Sequence, residues 1–138
     1  MSLISGIVAY LLSQSSVTAI IAGGNSIQPI PAPVQASLFP CIAYQVVSDV
    51  TDYDLAGPIG MAHARILFSC LASFGPGSYI TAHNLALTIK EAFSGYMGTL
   101  PSGPQVWFAE VVNVTDVYQS DALLSSTNVS VLLTYVEG

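Results

Sequence analysis

Charge is what this chain has least of. Arg65 and Lys90 are the only basic side chains among 138 residues, against eight acids, for a formal net charge of −6. Asp, Glu, Lys and Arg together make up 7% of the chain, where an ordinary globular domain has about 25%. The first 48 residues carry no charged side chain at all. With so little positive charge the chain cannot neutralise a row of phosphates, which excludes a nucleic-acid-binding surface. Long apolar runs are missing too. The run Leu3–Leu12 is ten residues long and ends at Ser13-Gln-Ser-Ser16, whereas a membrane span needs roughly 20. No Lys or Arg precedes that run, so it lacks the positive segment of a signal peptide. A soluble chain with no membrane partner is expected. Cysteine is scarce, and Cys41 and Cys70 do not make a disulfide scaffold. Buried free thiols acting as small hydrophobes are expected, with a single bridge between neighbouring strands as the alternative.

Apolar side chains are abundant. Hydrophobic residues make up 52% of the chain and the mean hydropathy is +0.64, more than a disordered chain carries. Ile4, Ile7, Val8, Leu11 and Leu12 recur at helical spacing and predict a helix over about residues 3–14, which Gly6 weakens. A short capped turn follows through Val17, Ile20 and Ile21, ended by Gly23-Gly24. Pro29, Pro31, Pro33 and Pro40 make residues 25–40 an extended arm, because proline breaks helices and central strands alike.

Beyond the arm, Cys41–Val47 reads as a strand and Asp49–Asp54 with Gly57-Pro58 as an acidic loop. Met61–Ser73 reads as a second long strand, with Ala62, Ala64, Ile66, Phe68, Cys70 and Ala72 on one face. Its other face, His63, Arg65, Leu67, Ser69 and Leu71, is only partly polar and calls for a cover other than water. Gly75-Pro-Gly77 breaks the strand before a helix from Tyr79 to about Tyr96, whose stripe is Ala82, Leu85, Ala86, Ile89, Phe93 and Tyr96. Gln105–Thr115 and Asn128–Val136 read as closing strands; in the first, Val106, Phe108, Glu110 and Val112 alternate with Trp107, Ala109 and Val111. The order predicts one α+β domain over residues 1–138. Its expected architecture is a four-stranded, mainly antiparallel sheet with the amino-terminal and central helices packed on one face.

The chemistry-bearing residues form no recognised constellation. His63 and His83 lie on separate elements, and no short-range spacing joins them to a cysteine or an acid as metal ligands. Asp49, Asp52 and Asp54 resemble the spacing of early calcium-loop ligands, but the loop lacks the required glycine and the distal glutamate. Gly57-Pro-Ile-Gly60 holds no nucleophile, and Gly75-Pro-Gly77 has no Lys-Ser/Thr pair after it. No enzyme activity, metal or cofactor is expected. Arg65, in mid-strand, needs solvent or an acid, with Glu110 or an acid of residues 49–54 as the expected partner.

The stretches Phe39-Pro-Cys-Ile-Ala-Tyr-Gln-Val-Val-Ser-Asp49, Tyr53-Asp-Leu-Ala-Gly-Pro-Ile-Gly60 and Ala62-His-Ala-Arg-Ile66 carry a resemblance. The chain resembles the tail-completion, or tail-terminator, proteins of long-tailed bacteriophages and prophages. The matching positions are Pro40, Tyr44-Gln45, Leu55, Gly57, Gly60 and Arg65, and the order of the later elements matches as well. The chain departs from the family in a central helix poor in charge and in Ser69-Cys70-Leu71 at the end of the second long strand.

The resemblance implies a non-enzymatic virion protein at the head-proximal end of the tail, assembled in the host cytoplasm. It implies a hexameric ring that caps the tail tube, stops its polymerisation and meets a head connector or neck protein. Low charge suits such a ring, since permanent interfaces are more apolar than exposed surface. The residues expected at subunit or partner interfaces are Pro31 and Pro33 of the arm, Asp49, Asp52 and Asp54, and Arg65, Trp107 and Glu110 of the sheet. The alternatives are another phage neck or connector protein, and a small non-viral protein-binding scaffold whose open sheet face meets one partner.

Overall fold

A computed structural model describes residues 3–21, 27–29, 40–55, 57–73, 78–101, 103–119 and 124–136. Helix α1 (Leu3–Ser13) and the one-turn α2 (Ser15–Thr18) lead into strand β1 (Ile27–Pro29). Strands β2 (Cys41–Asp54) and β3 (Gly57–Ser73) form a long hairpin, followed by helix α3 (Ser78–Phe93). Strands β4 (Gly98–Thr99), β5 (Gln105–Gln119) and β6 (Leu124–Val136) complete one sheet in the order β1-β2-β3-β6-β5-β4.

The α+β class with an amino-terminal helix is as expected, but the expected sheet is corrected. Among the described residues the sheet has six strands, not four, and there are three helices. Strands β2 to β6 are antiparallel to their neighbours, and β1 adds to β2 in parallel. The two additions are short edge strands of three and two residues. Neither is long enough to show a period of two in the sequence, and a proline at an edge leaves no ladder bond unmade. A second correction concerns residues 49–54, which continue β2 instead of forming a loop. Of the expected arm, β1 and Pro40 are described, whereas Pro31 and Pro33 lie outside the described residues, as does Gly75-Pro-Gly77.

One large core fills the space between the helices and the sheet. Ala62, Ala64, Ile66, Phe68 and Cys70 of β3 meet Leu85, Ala86, Ile89 and Phe93 of α3, with Val129, Val131 and Leu133 of β6 beside them. Ile7 and Leu11 bring α1 into the same core, while Leu12, on the rim of its stripe, is exposed. The Tyr10 ring packs 5.2 Å from Phe93 and 4.5 Å from Tyr96, and its hydroxyl donates to the Ala92 carbonyl at 2.6 Å. Burial, and secondarily Tyr96, raises the pKa of that hydroxyl.

Gly6 is placed by contact. A Cβ there would stand 2.7 Å from Gly103 Cα, and one on Gly103 would stand 2.6 Å from Gly6 Cα. Helix α1 therefore lies directly on the loop after β4, and two glycines are what the approach requires.

A candidate assembly surface

The register places the non-core side of the sheet row by row. Ser48 of β2 is opposite Arg65, Arg65 opposite Leu132, and Leu132 opposite Glu110. The next row is Val50, His63, Thr134 and Phe108. Besides the shift between Thr51 and Tyr53 near the hairpin end, three register shifts modify it: between Val46 and Ser48, between Val106 and Phe108, and between Val111 and Asn113. Each leaves an extra residue, Val47, Trp107 or Val112, and all three are exposed. A bulge sets two consecutive side chains on one side of the strand and so re-aims them. Val106 and Ala109 are buried towards the helices, while Trp107 (56% exposed) and Phe108 (48%) both stand on the other side. The simple alternation expected for this strand is thereby corrected.

This outer face divides along its length. At one end Cys41, Ala43 and Leu71 form a small buried cluster of their own, with Ser126 buried beside them. At the other end Val50, Arg65, Trp107, Phe108 and Glu110 are exposed. The hairpin β2–β3 runs past the end of β6, since Met61 is the last β3 residue paired to it, at Val136. Tyr53↔Pro58 and Asp54↔Gly57 continue as a two-stranded finger with the fully exposed Leu55 at its tip. Gly60, at φ 84°, sits where the register shifts at the base of the finger, a conformation that favours glycine. The backbones of Asp52 and Asp54 run in the finger, while their side chains lie outside the described residues.

Arg65 and Glu110 share a row but are separated by β6, and the structure does not bring them together. Among the described residues Arg65 makes no ion pair. Asp49 turns to the helix side, where the Tyr135 hydroxyl donates to both its carboxylate oxygens at 2.8 and 2.9 Å. Trp107 borders an open depression at the β4–β5 edge, lined also by Met97, Gly98, Gln105 and Val106.

Helix α3 presents a second exposed surface on its solvent side. Ile80 (61% exposed) and Leu87 lie on one stripe with Asn84 and Glu91, and Lys90 stands beside it. This stripe was not among the expected interface residues. Its signal was apolar residues outside the core stripe of an amphipathic helix.

Some polar contacts are visible only in three dimensions. Asp116 Oδ1 accepts from Thr127 Oγ1 at 2.8 Å and stands 3.3 Å from His83 Nδ1, joining α3, β5 and β6. His63 Nδ1 is 3.0 Å from Thr134 Oγ1 on the outer face. The two histidines thus belong to different sides of the sheet. Among the described residues no group of three or more His, Cys, Asp or Glu is placed to hold a metal ion. No helix among them is long and apolar enough to cross a membrane.

The cysteines are free and buried. Cys41 and Cys70 project from adjacent strands to opposite faces, which rules out the bridge between them. Burial pushes the Cys41 thiol up from 9.0 to about 11 and raises Cys70 further, with Cys41 as the lesser cause. At neutral pH both are thiols, and thiols are poor nucleophiles.

No protein-family model matches the chain, and no curated protein matches it. A solved structure of the virion of a native gene transfer agent (GTA) particle contains a chain similar to this one. The two are 12% identical, with a TM-score of 0.74, over 98% of this chain and 95% of that one. The likeness at that identity shows a shared fold over nearly the full length of both chains.

Proposed function

We propose that the chain is a structural protein of a tailed-phage-like particle, a hexameric ring at the head-proximal end of the tail. In this role it caps the tail tube, ends its polymerisation and helps join the tail to a head connector or neck protein. The observation that carries the reading is the nearly end-to-end fold likeness to a chain of a gene transfer agent virion. Two features of the surface support it. Exposed Trp107, Phe108, Val112 and Val50 lie on one side of the sheet with few charges among them, as a surface buried between subunits would. The finger carrying Leu55 projects beyond the sheet and leaves an apolar side chain free for contact with a partner.

Size exclusion coupled to light scattering tests the ring, and negative-stain images of particles made without the protein test its role. A ring, with abnormally long or unjoined tails in its absence, is the expected result. Intact tails with leaking heads would move the protein to a connector position in the neck. A monomer at micromolar concentration that also fails to bind tail-tube protein overturns the proposal.

A further inference from the structure

The chain's two cations, Arg65 and Lys90, are both exposed, and among the described residues neither forms an ion pair. They stand on opposite sides of the molecule. Arg65 lies on the outer sheet face, with Glu110 in the same row about 10 Å away, two strand spacings across Leu132. Lys90 and Glu91 lie on the solvent side of α3, three and four residues after Leu87. At 3.6 residues per turn those offsets set the two charges on either side of the line through Leu87. Each surface therefore carries a leucine with one cation and one anion close by, in line with Leu132 on the sheet and one turn beyond Leu87 on the helix. Each also has uncovered apolar neighbours: Trp107 and Phe108 on the sheet, Ile80 on the helix.

We infer that these two surfaces are partners. The α3 stripe of one copy lies across the outer sheet face of the next, with Leu87 over Leu132. Arg65 meets the partner's Glu91, and Glu110 meets the partner's Lys90. The charges are complementary in both pairs, which sets register and excludes the reversed placement, where like charges would face each other. A two-fold pairing of sheet face on sheet face would also match Arg65 with Glu110, but it would leave Ile80 and Leu87 in water. The head-to-tail contact covers both apolar patches at once. A repeated contact of this kind closes into a ring or runs on as a filament, and its closure as a ring rests on the function proposed above.

Charge reversal with rescue tests it, read as self-association by light scattering and sedimentation, with circular dichroism reporting the fold of each variant. Arg65→Glu alone and Glu91→Arg alone are expected to weaken association about tenfold or more, and the double variant to restore it. The pair Lys90→Glu and Glu110→Lys reads the second bridge independently. A wild-type ring that is indifferent to all four single changes overturns this contact and leaves the ring standing. Rescue of Arg65→Glu by Glu110→Arg, and not by Glu91→Arg, overturns it in favour of the two-fold pairing. A wild-type monomer overturns both the contact and the ring.

Discussion

The two faces of strand β3 differ sharply, although they alternate residue by residue. Ala62, Ala64, Ile66, Phe68 and Cys70 are entirely buried under the helices. On the reverse, Arg65 is exposed and His63, Leu67 and Ser69 are half-buried. The helix-side face needs no charge because it never meets water. The outer face meets water and still has only Arg65 and Glu110 as charges among its described side chains. Low charge in this chain is therefore a property of its surface and not simply of a large core. Exposed tryptophan, phenylalanine and valine gathered on one face are the feature on which the proposed subunit contact rests.

The largest effect expected from breaking this contrast comes from the helix side. Phe93 is fully buried, stacked on Phe68 at 5.6 Å and tilted against Tyr10 at 5.2 Å. Phe93→Ala removes the ring that joins α1, α3 and the sheet, and should cost about 3–5 kcal/mol of folding stability. Urea denaturation followed by circular dichroism measures it. A loss below about 1 kcal/mol would mean that the helices are not held through this core.

A smaller effect is expected at the approach of α1 to the loop after β4. Gly6→Ala places a methyl 2.7 Å from backbone, where the neighbour is a glycine Cα with no side chain to swing away. The helix gains propensity of about 1 kcal/mol from the change, but overpacking of about 1–3 kcal/mol opposes it. The net result is a lowered Tm, and Gly103→Ala should lower it more, since the same contact is met from the other side without any gain in helix propensity. A raised Tm in Gly6→Ala would show that α1 can lift off the loop without penalty.

How much of this was legible in the sequence depends on the range of the signal. The core stripe of α3 followed from period alone, and Ala82, Leu85, Ala86, Ile89 and Phe93 are all buried. The inward face of β3 was legible for the same reason, a period of two kept over a long unbroken strand. Strand β5 was misread because its bulges at Trp107 and Val112 each shift the period by one residue, and no turn residue marks them. Residues 49–54 looked like a loop because aspartate disfavours strands, but pairing with β3 extends the hairpin through them. The link from His83 through Asp116 to Thr127 spans three elements and has no signature in linear spacing. Of the candidate surface, Arg65, Trp107 and Glu110 were visible as a polar and aromatic residue set. Their division by β6, and the matching stripe on α3, required the register.

The smallest expected effect on folding is also the sharpest test of the contrast between the faces. Trp107 is the only tryptophan, and it stands at a bulge, more than half exposed. In the separated subunit Trp107→Ala should change stability within about 0.5 kcal/mol, as substitutions at open surface positions do. Self-association should weaken far more, because large aromatic side chains dominate the energetics of covered interfaces. In the wild type the fluorescence of this single indole reports on the outer face alone. Its emission should lie towards the red in dilute subunits and move to the blue as they associate, when water leaves the ring. A Trp107→Ala variant that loses as much folding stability as Phe93→Ala would show that the outer face is part of the subunit's own core. An emission maximum that does not depend on concentration across the association range would show that something other than this face joins the copies.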